Sequence, residues 1–460
     1  MGEKRNTFSS SIGFVLAAAG SAVGLGNIWR FPYLAAKDGG GIFLFVYIIL
    51  ALTFGFTLIV SEVSIGRKTK QSALTAYGKL HSKSRWIGIF ASLVPFMILP
   101  YYCIIGGWVL KYCTAFMTGK GVETSQEGYF TGFITGYWQP IVFDVIFLTA
   151  AAFIIYRGVN KGIESISKVL MPVLLIFVVA ISIFSLTIHG SEGRTGIDGL
   201  KIYVIPNFAD KSAKDIFIVV MDAMGQLFYS ISVAMGIMVT YGSYFKDESN
   251  LMKSVNQIEL FDTVVAFLAG VMIIPAVYVF IGEQGMESSG PGLMFIALPK
   301  VFAEMGKLGN VIGCIFFMMV LLAALTSAIS VLEAVVASLI DAFGWSRGRA
   351  TIIESILALV IGIVICLGYN VFYFEMPLPN GTTAQILDII DYVSNNIFMP
   401  VVAIGTCVLI GWIVKPKTVI EEAVKNGEKF GRKSLYIVMI KFIAPILLFV
   451  LLLGSLGVIR

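Results

Sequence analysis

The sequence predicts an all-α polytopic membrane protein, and three observations predict it. Of the 460 residues, 57% are hydrophobic and 13% charged, against about a quarter charged in a soluble domain. A soluble fold of this length has too little interior to hide so much apolar surface, so lipid must cover the rest. The apolar residues collect in about eleven segments, each about 20 residues or longer, enough to cross a hydrocarbon core. The loops between them alternate in basic content, as expected of a chain threaded back and forth through a bilayer.

In chain order the segments are 12–36, 41–66, 87–117, 140–156, 166–188, 214–243, 254–282, 307–340, 350–373, 383–413 and 435–458. Several are longer than a bilayer needs, so tilt or extension beyond lipid is expected. The 67–85 loop carries Arg67, Lys68, Lys70, Lys79, Lys83 and Arg85 and no acid, whereas 119–139 sets Lys120 against Glu123 and Glu127. The positive-inside rule puts the first loop in the cytoplasm, and Arg157, Lys161, Lys168, Lys415 and Lys417 fall on the same side. The N-terminus is then cytoplasmic and Arg460 extracytoplasmic. Residues 1–460 read as one transmembrane domain, with no linker to a soluble one.

The net charge of +5 is mild and speaks against a nucleic-acid partner. Cys103, Cys113, Cys314, Cys366 and Cys407 lie scattered in apolar stretches without metal-ligand or redox spacing. His81 and His189 stand alone. The apolar run after Lys4 and Arg5 holds Asn27 and Arg30 where a cleaved signal would have small residues, so no signal peptide is expected.

Two spans contain stretches that a continuous helix avoids. The first reads Gly20-Ser21-Ala22-Val23-Gly24-Leu25-Gly26-Asn27, and each glycine costs a helix about 1 kcal/mol relative to alanine. The sixth has a milder version at Tyr229-Ser230-Ile231-Ser232-Val233-Ala234-Met235-Gly236. Small residues at spacing four also suit close helix packing. These are, however, the opening spans of two consecutive five-span blocks, 12–188 and 214–413, with 435–458 as an extra helix. Interruptions at corresponding places in two halves point to a transport site near the midplane. Unwound backbone there is tolerated only around a ligand or buried protein.

The run Gly20 to Pro32, followed by Gly39-Gly40-Gly41, resembles the first-helix signature of the neurotransmitter:sodium symporter family. The resemblance continues through Glu62 and Gly66, Tyr101-Tyr102, Tyr229 to Tyr244, Leu325-Thr326-Ser327 and Asp391, and so covers nearly the whole chain. It implies inverted-topology repeats, a bacterial inner membrane, and a sodium-coupled symporter with two sodium sites beside one amino acid.

By that resemblance the first sodium would meet the Ala22 carbonyl, Asn27, Ser230, the substrate carboxylate and a side chain of the seventh span. Alignment through Gly270 offers Asp262 or Phe261 there, and only Asp262 has an oxygen, a suitable donor for a hard cation. A lone Asp in a span is costly, so a partner is expected. Chloride-dependent relatives place a neutral Ser in that span, where this chain has a residue near Ala266. With the Asp262 carboxylate supplying negative charge, no chloride requirement is expected. The second sodium would take the carbonyls of Gly20, Val23 and Ala323 and the hydroxyls of Thr326 and Ser327.

The substrate residues implied are Ala22, Gly24, Gly26, Ile98, Tyr102, Tyr229, Ser230, Ser232, Met235, Ser327 and Val331. Amine-carrying relatives have Asp where this chain has Gly24, so the ligand here should bring its own carboxylate, as a zwitterionic L-amino acid does. Ile98, Met235 and Val331 suit a hydrophobic or aromatic side chain. Arg30 and Asp391 resemble an outer gate pair above Tyr102 and Tyr229, while Arg5, Ser243, Tyr244 and Asp341 resemble an inner gate. Phe8 stands where many members have Trp, and Glu333 where some bacterial relatives have Gln. Glu62 is expected to brace unwound backbone; Asp144, Asp222 and Glu259 receive no role, and a homodimer is left open.

The implied mechanism is alternating access. Two sodium ions entering with a neutral substrate would gain about 4.6 kcal/mol from a 100 mV potential. A channel would need a continuous polar pore, which the aromatic and charged gate residues oppose. An intramembrane enzyme would need a nucleophile and base, and no such motif is present. A non-transporting amino-acid sensor of the same fold is the remaining alternative.

Overall fold

The computed structural model describes residues 7–190, 193–206, 208, 211–282 and 290–459. The chain is helical almost throughout, and the long helices are numbered here in order. The first span is a bent pair, α1 (Ser11–Ala22) and α2 (Gly26–Lys37), meeting at 52°. Ser10 starts α1 as an N-cap whose side chain accepts the Gly13 amide. Then follow α3 (Gly41–Thr69), α4 (Ser82–Met117), α5 (Gln139–Tyr156) and α6 (Val159–Thr187).

The expected sixth span, 214–243, is two helices, α7 (Ala213–Ser230) and α8 (Ile237–Tyr244), parted at Ile231 to Gly236. The rest are α9 (Leu251–Phe280), α10 (Lys307–Phe343), α11 (Arg347–Leu367), α12 (Ile386–Ile413) and α13 (Lys433–Ser455). Among the described residues nine helices are long and apolar enough to cross a bilayer, ten with the bent first pair. The sixth segment falls outside that set because α8 is short and α7 carries Lys214, Asp215 and Asp222. A two-stranded hairpin, Met376–Pro377 with Thr383–Ala384, fills the loop before α12.

The broken helices lie at the centre of the bundle. α1 packs against α9, α10 and α6, and α4 runs along α10. α3 and α8 touch backbone to backbone: a Cβ built on Gly66 would fall 1.9 Å from Val239 O, and one on Gly242 2.4 Å from Val63 O. Small residues allow this approach where larger side chains would hold two membrane helices apart. The periphery is apolar and exposed, as at Phe45, Ile176, Val360 and Ile446, and suits lipid.

Candidate functional site

The site grows from the first break. Val23 leaves the helix in an extended conformation (φ −76°, ψ 91°) while its amide still donates to Ala19 O. The Gly24 amide, freed by the break, donates to Asn27 Oδ1 at 3.2 Å. Gly24 is required by space: an added Cβ would lie 2.8 Å from Ser327 Oγ and 3.2 Å from Tyr102 OH. At Gly26 it would meet the Tyr229 ring at 2.9 Å.

The second break is built differently. Ser232, Ala234 and Gly236 take left-handed φ values of 54°, 60° and 71°. The Ala234 amide donates to Glu62 Oε1 of α3 at 2.6 Å, so Glu62 braces this second break. Ser232 Oγ donates to Ser21 O at 3.0 Å, joining the two breaks directly.

A narrow cavity lies between the breaks, α4 and α10. All eleven expected substrate residues line it: Ala22, Gly24, Gly26, Ile98, Tyr102, Tyr229, Ser230, Ser232, Met235, Ser327 and Val331. Ser21, Leu25 and Ile237 line it too and had no role from the sequence, although each sits in or beside a break. The Tyr102 hydroxyl is buried there beside the Leu25 amide and Ser327, with no acceptor in bonding geometry for its own proton.

Asn27, Ser230 and Asp262 meet at one side of this cavity. Asn27 Nδ2 donates to Asp262 Oδ1 at 2.8 Å and Ser230 Oγ to the same oxygen at 2.7 Å. Tyr47 OH donates to Asp262 Oδ2 at 3.2 Å. Asp262 therefore has the partners that a buried acid needs, while Phe261 is partly exposed. Tyr47 was missed, as was Gln226, whose Nε2 donates to Gly26 O at 3.0 Å. Tyr47 is an isolated polar group in an apolar helix, while Gln226 stands one turn after Asp222 and one before Ser230 on the more polar α7; those positions were the available signals.

Of the second expected sodium set, Gly20, Ala323, Thr326 and Ser327 lie close together. Ser327 Oγ lies 3.3 Å from Gly20 O, and Thr326 Oγ1 donates to Ala323 O at 3.1 Å. A Cβ on Gly20 would come within 3.2 Å of Thr326 Cβ. Val23 is fully buried in the adjoining break.

The gate residues divide by side. No ion pair joins Arg30 to Asp391; Asp391 accepts instead from Asn395 Nδ2 at 2.6 Å. Arg30 lines a vestibule of about 340 Å³ together with Asp222, Tyr229 and Asn395. At the opposite end Tyr244 OH donates to Glu333 Oε1 at 2.6 Å, and Arg347 grips Glu333 with two bonds of 2.6 and 2.9 Å. Asp341 accepts the Ser72 amide at 2.6 Å, Ser243 Oγ donates to Thr240 O, and the Phe8 ring packs edge-on against Tyr241. Arg5 lies outside the described residues. Of the acids left without a role, Asp222 pairs with Lys37 and Glu259 with Arg432, each at 2.8 Å. Asp144 is buried with neither carboxyl oxygen hydrogen-bonded.

A family model described as the sodium:neurotransmitter symporter family matches residues 5–126 and 139–460. An uncharacterized sodium-dependent transporter of Bacillus subtilis, YhdH, is 33% identical over 466 residues, 99% of both chains. Another from Methanocaldococcus jannaschii is 31% identical over 426 residues, 89% of this chain and 82% of that one. The crystal structure of MhsT in complex with L-phenylalanine superposes with a TM-score of 0.86 at 33% identity, covering 98% of this chain and 100% of that one.

Proposed function

The chain belongs to the sodium:neurotransmitter symporter family, and from that premise we propose that it imports a zwitterionic L-amino acid with a hydrophobic or aromatic side chain, without a chloride requirement. It is a sodium-coupled transporter spanning the membrane many times, and not an enzyme. The observation that carries the substrate class is the Tyr102 hydroxyl, buried opposite Gly24 with no acceptor in bonding geometry for its proton. A hydroxyl in that state lacks an acceptor, and a buried unmatched donor costs about 1–3 kcal/mol. A substrate carboxylate would supply the acceptor, and Gly24 leaves the space for it.

In this reading the carboxylate also completes the first sodium site, with Ala22 O, Asn27, Ser230 and Asp262. Gly20, Val23, Ala323, Thr326 and Ser327 hold the second sodium. Ile98, Met235 and Val331 receive the side chain, with Met235 adaptable in shape, and MhsT is a relative whose structure holds L-phenylalanine. Asp262, hydrogen-bonded by three neighbours, gives the fixed negative charge that makes chloride dispensable.

Arg30 and Asp391 close the outer side, and Arg5, Ser243, Tyr244 and Asp341 the inner side. Residues 12–188 and 214–413 act as inverted repeats. The protein sits in a bacterial inner membrane with its N-terminus inside, so the vestibule at Arg30 faces outward.

The test is uptake by purified protein in proteoliposomes across the twenty amino acids, with and without a sodium gradient and with gluconate replacing chloride. Sodium-driven uptake of hydrophobic or aromatic amino acids, unchanged in gluconate, is expected. No sodium-stimulated uptake of any amino acid defeats the transport reading. A fall in gluconate defeats only the chloride reading.

A further inference from the structure

Away from the transport site, α4, α5 and the short helix Tyr129–Ile134 surround a cation that the transport chemistry does not use. Lys111 lies near the end of α4, and its Nζ is 5.9 Å from the ring centroid of Tyr129, 5.8 Å from Phe133 and 5.7 Å from Phe143. Ring faces attract an ammonium through their quadrupole. They neither neutralise its charge nor accept its three N–H donors as oxygens would. Among the described residues Lys111 Nζ has no hydrogen bond and no ion pair; the residue's one side-chain neighbour of that kind, Thr114, bonds its backbone carbonyl.

A cavity of about 610 Å³ opens in front of Lys111, and no carboxylate lines it. Tyr137 and Trp138 form its rim and are 61% and 78% exposed. Exposed Tyr and Trp just ahead of a membrane helix mark the level of lipid headgroups. Val142, Val145 and Ile146 continue from Trp138 as an exposed apolar stripe on α5. The pocket thus joins one uncompensated positive charge at headgroup depth to an apolar track leading into the bilayer. α4 crosses in the same direction as the first span, so this pocket opens on the vestibule side.

We propose that this pocket binds one anionic phospholipid, its phosphodiester against Lys111 Nζ and its acyl chains along Trp138, Val142, Val145 and Ile146. A choline lipid would bring a second cation to rings that Lys111 already occupies. A soluble anion would leave the apolar track unused. The inference is independent of which amino acid is carried.

Native mass spectrometry of the full-length protein in detergent, titrated with dioleoylphosphatidylglycerol or dioleoylphosphatidylcholine, tests it. The glycerol lipid should bind more tightly. Lys111→Gln should weaken its binding about fivefold, the effect of one basic residue at an anionic lipid surface. Lys111→Arg should keep it, and thermal unfolding of both variants checks that they are folded. Equal binding of the two lipids, or glycerol-lipid binding unchanged in folded Lys111→Gln, overturns the proposal. Displacement of the lipid by inorganic phosphate also overturns it, by revealing a site for a free anion.

Discussion

Between α1 and α2 the chain stops being helical where its own composition demands it: Gly20, Gly24 and Gly26 bring no side chain, and Asn27 caps the freed Gly24 amide from within. Between α7 and α8 it stops where composition forbids it least. Ser232 and Ala234 sit at φ 54° and 60°, a region that costs an L-residue about 1–2 kcal/mol. That strain is held from outside, by Glu62 on the Ala234 amide and by Ser21 O on the Ser232 hydroxyl. The first break is intrinsic and serves close approach; the second is imposed by neighbours and stores strain. The two broken spans are then tied by Lys37, at the end of α2, and Asp222, midway along α7.

The largest effect should come from the group that both breaks share. Asp262 accepts from Asn27 of the first broken span and Ser230 of the second. Asp262→Asn should cut sodium-driven uptake in chloride-free buffer about a hundredfold, matching the roughly 3 kcal/mol lost when a buried charge cluster loses one member. Added chloride should restore part of it. Uptake by the variant that is unchanged without chloride would separate the two breaks energetically.

Gly24→Ala comes next. Its Cβ meets Ser327 Oγ and Tyr102 OH, and overpacking of about 1–3 kcal/mol should weaken apparent substrate affinity about tenfold. Unaltered affinity in an uptake titration would mean that the first break has slack. Ala234→Gly probes the opposite property. Removing the Cβ from a left-handed residue should stabilise the protein by about 1 kcal/mol, read as a higher thermal unfolding midpoint in detergent. A lower midpoint would show that Ala234 is not strained.

The smallest effect concerns Asp38, beside that tie. Burial, and then the neighbouring Asp222 charge, push the Asp38 carboxyl up to about 7. A carboxyl raised in the folded state binds more protons folded than unfolded between its ordinary range and about 7, so stability falls as pH rises through that window. Asp38→Asn should therefore stabilise the protein at pH above 7 and do little near pH 4. Thermal melts across this range check it, and an equal gain at both ends would assign the effect to packing.

How much of this was legible follows the same contrast. Glycines and Asn27 announce the first break because their chemistry is visible one residue at a time. The second was read from Ser230 and Ser232 and its correspondence with the first; no residue-type rule reveals that Ala234 is left-handed, because Glu62 imposes it from another helix. The eleven expected substrate residues converge on one cavity, yet Tyr47, a single polar group in an apolar helix, and Gln226, on the more polar α7, went unread. Glu333 looked like a departure until Arg347, beyond the end of α10, supplied its partner. Arg30 and Asp391 were legible as a gate pair, yet they form no ion pair here, because Asn395, one turn on from Asp391, takes its carboxylate.

The glycine contacts between α3 and α8 have a mechanical meaning. Where Gly66 lies under Val239 O and Gly242 under Val63 O, no layer of side chains separates the two backbones to act as a lubricant. Sliding either helix along the other would drive a carbonyl oxygen into an α-carbon. The pair can pivot together but cannot shear, so whatever force tilts α8 is delivered to α3, and through Glu62 returns to the strained turn from which α8 begins.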